Sequence, residues 1–234
     1  MKKAFTLIEL IFVIIIIGII AVFTSSRFSR DGISIATDQI LNHIRYTQSL
    51  ALNQDMLVPL PQFSTETNIN AANKDSRQWF KKWWQFYISG NGESYAVFSD
   101  SATAASTNYE FDTYPYFPDT LAKDPATGLY IYGAWSGNSA PDESEKMPAV
   151  NVAREFGVTL RMTGCSGQHI LFDRLGRPNC SKTSTGLGAS EVYPYTRLST
   201  SGMCIEISDG TLSNTVRVTA VTGYAFITRN DTCP

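Results

Sequence analysis

Apolar residues are concentrated in one segment near the beginning of the chain. Residues 5–23 read FTLIELIFVIIIIGIIAVF, and only Thr6, Glu9 and Gly18 interrupt the apolar run. As an α-helix this segment would extend roughly 28 Å, close to the hydrocarbon thickness of a bilayer. The pattern therefore predicts a helix that is embedded in a membrane.

The flanks of this segment predict its orientation, and one residue inside it argues against two simpler interpretations. Lys2 and Lys3 precede the run and predict, by the positive-inside rule, a cytoplasmic N-terminus with the rest of the chain across the membrane. A plain anchor would explain the length. A secretory signal peptide also begins with lysines, but its apolar core is shorter and ends at small residues, which residues 21–26 match only loosely. Neither explains Glu9, because a carboxylate in an apolar helix is costly and usually functional.

Helical spacing continues after the apolar segment. A stripe recurs at three- and four-residue steps and consists of Ile33, Ala36, Ile40, Ile44, Thr47 and Ala51. The stripe predicts one long helix over about 5–53, whose second half packs on a sheet. His43 is interpreted as a surface or groove residue of this helix rather than a catalytic one.

The remainder of the chain has the pattern of a β-rich domain, in which short apolar or alternating segments are separated by turn residues. Predicted strands lie at 56–60, 84–88 and 95–98, at the end of 152–160, at the start of 169–178, and at 203–208, 215–220 and 224–228. Pro178 is expected to end the pairing of its strand. Residues 61–150 are predicted to form an extended loop and hairpin region. The predicted fold class is α+β, a long N-terminal helix packed on an antiparallel β-sheet or sandwich.

Charge and motif content narrow the function. The formal net charge of −2 gives the whole chain no general attraction for nucleic acid. The two histidines lie far apart and no phosphate loop or nucleophile–base motif occurs, so we expect neither enzyme activity nor a cofactor. Asp112, Asp119 and Asp124 could offer oxygen ligands to calcium, but their spacing matches no loop motif. Turn-forming, solvated carboxylates are the favoured interpretation, and no metal site is predicted.

Four cysteines lie between residues 165 and 233, in the part of the chain predicted to be exported. An even number in such a domain indicates two disulfides, for which three pairings exist. Cys165 and Cys180 flank the 170–178 strand and turn, which favours Cys165–Cys180 with Cys204–Cys233, although the other pairings remain open. A zinc site is the rival interpretation, but no Cys-x-x-Cys pair occurs and only His169 is nearby.

The start of the chain resembles a known processing signal. Lys2-Lys3-Ala4-Phe5-Thr6-Leu7-Ile8-Glu9-Leu10 is similar to the class III signal of type IV pilins and type II secretion pseudopilins. The resemblance implies that prepilin peptidase cuts between Ala4 and Phe5 and methylates the amino group of Phe5. It also implies that Glu9 pairs with the Phe5 amine of a neighbouring subunit during filament assembly. The family usually has Gly before the cut, whereas this chain has Ala4.

Two further stretches resemble GspH/FimT-like minor pseudopilins, namely residues 38–54 and the F-D-x-x-G-R-P sequence of residues 172–178. The resemblance implies a minor pilin or pseudopilin, a structural subunit of a type IV pilus or type II secretion pseudopilus. Its implied partners are prepilin peptidase, other pilins and the inner-membrane assembly platform. The implied location is the bacterial inner membrane, crossed once, and after assembly a periplasmic or surface filament.

This resemblance divides the chain into four regions. They are a leader at 1–4, a transmembrane helix half at 5–24, an amphipathic periplasmic helix half at 25–54 and a β-rich periplasmic domain at 55–234.

Two alternatives remain open. Some FimT-like proteins bind DNA through a Gly-Arg-x-Arg motif, but the matching stretch here, residues 222–226, lacks those arginines. Contacts with DNA would then fall to Lys81, Lys82, Arg217 and Arg229, and nucleic acid is not the expected partner. The other alternative is an anchored enzyme or adhesin whose N-terminus resembles that of a pilin.

Overall fold

One long helix lies against two antiparallel sheets. The computed structural model describes residues 7–54, 83–99, 120–133, 140–165, 168–180 and 198–233, and for residues 20–31 it describes the backbone alone. Helix α1 spans Leu7–Asn53 without interruption. Its 47 residues correspond to roughly 70 Å of helix. The long helix and the α+β class predicted from the sequence are confirmed, whereas the predicted strand at 56–60 lies outside the described residues.

The first sheet has five strands in the order β3-β2-β1-β5-β6, and all neighbours are antiparallel. Its strands are β1 (Trp84–Ile88), β2 (Tyr95–Ser99), β3 (Thr120–Leu121), β5 (His169–Phe172) and β6 (Pro178–Asn179). The predicted hairpin of β1 and β2 is confirmed, with Trp84 opposite Ser99 and Ile88 opposite Tyr95. Both strands are buried along their full length, which explains why they are apolar at every position except Gln85 and Ser99.

The second sheet has four strands in the order β4-β7-β8-β9. Its strands are β4 (Thr159–Thr163), β7 (Met203–Ser208), β8 (Ser213–Val218) and β9 (Ala225–Arg229). The three C-terminal strands agree with the predicted positions to within two residues. Each of these strands pairs with the next in an antiparallel meander.

One local prediction is confirmed with an addition and one is wrong. Residues 152–160 end in β4 as predicted, but they begin with a short helix, α2 (Val152–Phe156), because the Asn151 side chain caps its start and Gly157 ends it at φ 68°. Pro178 does not end the pairing of its strand but begins β6 opposite Phe172. Since β6 is at the edge of its sheet, the missing N–H of the proline removes no ladder bond that the sheet needs.

The core fills the space between α1 and the two sheets. The predicted stripe of α1 is buried, with exposed fractions of 0% at Ile40 and Ile44. Phe86 and Phe172 of the first sheet and Ile205 of the second belong to the same cluster. Burying each large side chain contributes about 1.5–3 kcal/mol, so the stripe supplies much of the free energy that holds α1 in place.

Close packing of α1 against α2 requires a glycine. A Cβ on Gly32 would lie 2.8 Å from the carbonyl oxygen of Phe156, a backbone atom that cannot move aside easily. Gly32 directly precedes Ile33, a core residue that is 3% exposed. The position where α1 meets α2 is therefore fixed by a residue without a side chain.

Two disulfides connect segments that are distant in the chain. Cys165 pairs with Cys180, and Cys204 pairs with Cys233. This is the pairing that the sequence favoured. The first bond joins the end of β4 to the end of β6 and so ties the two sheets together. The second holds the C-terminal residues against β7.

Candidate functional site

The first turns of α1 expose apolar side chains to an unusual extent. The exposed fractions of the large apolar residues between Leu7 and Ile19 run from 46% at Val13 to 78% at Leu7. A continuous apolar surface of this kind requires a partner or an apolar environment to cover it. Within the described residues, no helix meets both the length and the hydropathy required of a membrane span.

Glu9 lies in the first turn of α1, among these exposed apolar side chains. Ala4 and Phe5, the residues of the predicted cleavage and methylation site, lie outside the described residues. Their roles, and the role of Glu9 in assembly, remain predictions.

A buried polar network connects the second half of α1 to the first sheet. The hydroxyl of Tyr95 lies 2.7 Å from Nδ1 of His43, and Gln39 Nε2 donates to the same hydroxyl at 2.6 Å. Gln39 Nε2 also donates to the carbonyl of Ala149 at 2.8 Å. On its other side, His43 places Nε2 3.7 Å from Oδ1 of Asp124. Four side chains and one backbone carbonyl, from four parts of the chain, therefore fix the rotation of α1 on the sheet.

This network corrects two interpretations made from the sequence. His43 was expected at a surface or groove, but it is 5% exposed. Asp124 does form a turn, because its Oδ2 accepts from the N–H and hydroxyl of Thr127, both at 2.8 Å. It is not solvated, however, but 9% exposed and directed at His43. The helical period offered a signal for His43, since it follows Ile40 by three residues and precedes Thr47 by four.

The hydrogen bonds indicate which ring nitrogen of His43 carries the proton when the ring is neutral. Because Gln39 donates to the Tyr95 hydroxyl, that hydroxyl is available to donate to Nδ1 of His43. The proton of the neutral imidazole is then on Nε2, facing the Asp124 carboxylate. Burial lowers the pKa of His43, and the nearby Asp124 carboxylate only partly opposes this effect. The folded protein therefore favours a neutral His43.

Asp124 and Tyr95 complete the electrostatics of the network. Burial alone would raise the pKa of Asp124, but the hydrogen bonds from Thr127 together with His43 outweigh it and lower that pKa. Burial raises the pKa of Tyr95, so its hydroxyl keeps its proton. The order carboxylate, imidazole, hydroxyl is also found in nucleophilic enzymes. Here the hydroxyl belongs to a side chain that is 0% exposed, so a substrate could reach it only if α1 left the sheet.

The C-terminal end of α1 is held by two turns. Gln48 Nε2 donates to the carbonyl of Gly176 at 2.8 Å and to that of Thr222 at 3.0 Å. Arg45 Nη2 donates to the carbonyl of Ala225 at 2.9 Å. The F-D-x-x-G-R-P sequence thus forms the β5–β6 turn, and this turn packs on the helix.

The buried carboxylate of Asp173 organises this turn. Its Oδ1 accepts from the backbone N–H groups of Leu175 and Arg177, and its Oδ2 lies 2.7 Å from Nε of Arg177. Asp173 and Arg177, the Asp and the Arg of the sequence motif, are therefore structural residues of the turn.

The residues considered for DNA contact are not brought together by the described structure. Arg217 pairs with Asp231, with Nη2 2.7 Å from Oδ2, and this hydrogen bond lowers the pKa of the Asp231 carboxyl. A paired guanidinium is less available to a phosphate than a free one. Arg229 is exposed at the end of β9. Lys81 and Lys82 lie outside the described residues.

The comparison with protein families gives one match, at the N-terminus of the chain. Residues 1–25 match the family model described as the Prokaryotic N-terminal methylation motif. The match confirms the resemblance of this segment to a prepilin-type signal and supports a type IV pilin-like or pseudopilin-like protein. Such a motif implies processing by prepilin peptidase and assembly with other pilins. Neither the comparison with curated proteins nor that with solved structures gives a match.

Proposed function

We propose that this chain is a minor pilin or pseudopilin, a structural subunit of a type IV pilus or type II secretion pseudopilus. The observation that carries the proposal is the N-terminal methylation motif at the start of an uninterrupted helix. The first turns of that helix expose their apolar side chains, while its second half is the centre of a folded domain. One element thus joins an apolar anchor to a domain, as a filament subunit requires.

In this proposal the first half of α1 lies in the inner membrane before assembly, with the N-terminus in the cytoplasm and the sheets in the periplasm. Prepilin peptidase cuts between Ala4 and Phe5 and methylates the new amino group. In the filament, Glu9 of one subunit pairs with the Phe5 amine of its neighbour. Each of these charges is costly in apolar surroundings, so their pairing favours one axial register of the packed helices.

The second half of α1 transmits force to the domain. The buried stripe and the network of Gln39, His43, Tyr95 and Asp124 oppose sliding and rotation of the helix on the sheets. Movement of α1 within a filament would therefore carry the whole domain with it. The structure of the domain suits a mechanical role.

The N-terminus of the mature protein provides the test. The full chain is produced with and without prepilin peptidase, and its N-terminal peptide is identified by mass spectrometry. We expect a mature chain that begins with methylated Phe5 only when the peptidase is present. If the chain made with the peptidase retained Met1, or began near Thr24, the proposal would be wrong.

Glu9 provides a second test with a matched control. Glu9→Val should leave cleavage intact but abolish incorporation into filaments, because it removes the charge that pairs with the Phe5 amine. Glu9→Asp keeps the charge and should retain part of the incorporation. Equal incorporation of the wild type and the Glu9→Val variant would contradict the assigned role.

A further inference from the structure

The second sheet carries a cavity on the face that points away from α1. Its volume is about 510 Å³, and small-molecule sites usually measure roughly 300–1,000 Å³. One row of side chains lines it, with one residue from each strand directly opposite the next: Thr163, Cys204, Arg217 and Phe226. Their chain neighbours Met203, Val218 and Ala225 belong to the core, so the row faces outward.

Two glycines at the strand ends give this cavity a fixed shape. Gly164 follows β4 and Gly202 precedes β7, and both line the cavity with positive φ angles of 90° and 77°. A Cβ on Gly164 would lie 2.5 Å from the carbonyl oxygen of Gly202, and one on Gly202 would lie 2.9 Å from that of Val218. Backbone therefore packs closely here. A cavity formed by backbone needs little ordering when a ligand binds, so less entropy is lost.

Arg217 is the one charged side chain that lines the cavity in the described part of the chain, and its charge is already balanced. Its Nη2 donates to Oδ2 of Asp231 at 2.7 Å, and both side chains are 35% exposed. The Cys204–Cys233 disulfide holds the C-terminal segment, with Asp231, on this face of the sheet. A guanidinium has five N–H donors, and the bond to Asp231 uses one of them. The cavity therefore offers hydrogen-bond donors without an excess of charge.

Phe226 adds an aromatic ring to the wall of the cavity. It lies directly opposite Arg217 in the sheet. Its ring is nearly parallel to that of Tyr224, with an angle of 19° between the planes and 6.0 Å between the ring centres. Because Tyr224 is 58% exposed, aromatic surface extends from the cavity to the solvent. Thr163 and Ser201 line the same cavity and carry hydroxyl groups.

We propose that this cavity binds a neutral saccharide. A sugar ring has an apolar face of C–H groups, which packs on an aromatic ring, and hydroxyls that each donate and accept hydrogen bonds. Phe226 matches the first property. The guanidinium of Arg217 and the hydroxyls of Thr163 and Ser201 match the second.

The balanced charge of Arg217 favours a neutral ligand over an anionic one. A phosphate or carboxylate would compete with Asp231 for the guanidinium, whereas a sugar hydroxyl can use the N–H groups that Asp231 leaves. Nucleic acid therefore fits this cavity less well than a glycan does. The inference goes beyond the proposed function and does not depend on it. Glycans of this kind occur in the cell wall and on surfaces outside the cell, and the test separates the two sources.

Binding of the full chain to immobilised glycans tests the proposal. The protein is purified in lauryldimethylamine oxide, because a sugar-based detergent would compete for the cavity. The neutral probes are oligomers of N-acetylhexosamines, which represent the cell wall, and oligomers of hexoses, which represent surface polysaccharides. We expect retention on one of these classes, with competition by the same sugar in solution, and weaker binding to single-stranded oligothymidylate, the anionic probe. Retention on neither class, or tighter binding to the oligothymidylate, would overturn the proposal.

Paired substitutions locate the binding in the cavity. Phe226→Leu keeps an apolar side chain but removes the ring and should weaken binding about tenfold, whereas Phe226→Tyr should stay within about threefold of the wild type. Arg217→Ala should weaken binding about tenfold or more. Arg161→Ala removes the same charge from an exposed position of β4 outside the cavity and should have no effect.

Circular dichroism confirms that each variant is folded. Wild-type binding by Phe226→Leu, or equal losses in Arg217→Ala and Arg161→Ala, would show that the cavity is not the site. Cleavage after Ala4 and incorporation into filaments should be the same in all four variants. If binding failed while both of these stayed normal, the proposed function would stand and only the saccharide site would fall.

Discussion

Removal of one buried hydroxyl, in Tyr95→Phe, should destabilise the domain measurably. The ring of Tyr95 is 0% exposed, so the substitution leaves the packing shape unchanged. Gln39 loses one acceptor but keeps its bond to the carbonyl of Ala149. His43 loses the donor to its Nδ1 and keeps a buried nitrogen without a partner. One such group costs about 1–3 kcal/mol in the free energy of unfolding.

A cost of about 2 kcal/mol corresponds to a melting temperature lower by roughly 4–8 °C for a protein of this size. The measurement is thermal unfolding of the purified full chain in detergent, followed by circular dichroism. Tyr46→Phe is the matched control, because its hydroxyl donates to the carbonyl of Lys123 at 3.0 Å but in an exposed position. Water can replace that bond, so the control should change the melting temperature by no more than about 2 °C.

A double-mutant cycle with His43→Leu identifies the cause. If the unpaired imidazole nitrogen is responsible, Tyr95→Phe should cost much less when His43 has already been replaced. The expected coupling lies between about 0.5 and 3 kcal/mol. Two independent, additive effects, or equal effects of Tyr95→Phe and Tyr46→Phe, would refute the reasoning.

Three further predictions concern pH, the disulfides and the core. Since the pKa of His43 is lowered on folding from 6.5, the unfolded chain binds more protons below that value, and stability should fall as the pH drops below about 6.5. His43→Gln should flatten this slope in urea unfolding curves measured between pH 7 and 5. Cys204→Ser with Cys233→Ser removes a crosslink across 29 residues and should cost about 3–4 kcal/mol in the same assay. Ile40→Ala should cost about 2–5 kcal/mol, because Ile40 is fully buried.

Each of these three predictions has its own check. The pH slope should stay unchanged in the Tyr46→Phe variant, and an identical slope in His43→Gln and the wild type would contradict the assignment. For the disulfide, a cost below about 1 kcal/mol would show that the C-terminal segment is held without it. Ile35→Ala is the control for the core substitution, since Ile35 is 54% exposed and should change stability by about 0.5 kcal/mol or less.

The features that could be predicted from the sequence are those encoded by local spacing. The apolar stripe of α1 follows the helical period, so Ile33, Ile40 and Ile44 could be assigned to the core before any contact was known. The hairpin of β1 and β2 was marked by its turn residues. Signals of this kind depend only on residues that lie close together in the chain, so they can be recognised from the sequence alone.

The predictions that failed concern residues whose roles depend on partners distant in the chain. His43 was assigned to a surface because it is polar. Its partners in the fold, Tyr95 and Asp124, follow 52 and 81 positions later in the chain, so they could not be recognised from neighbouring residues. Pro178 was expected to end a strand, but only the position of β6 at the sheet edge decides whether its missing N–H matters.

The sequence by itself determined the N-terminal methylation motif, the long helix and the α+β class, because each rests on a contiguous pattern of residue types. The tertiary structure decided which cysteines pair, which polar side chains are buried and which apolar ones stay exposed. It alone brought Thr163, Arg217 and Phe226 into one row on the outer face of the second sheet. The physical reason is that burial and pairing depend on distances between elements, and the packing of α1 on two sheets sets those distances.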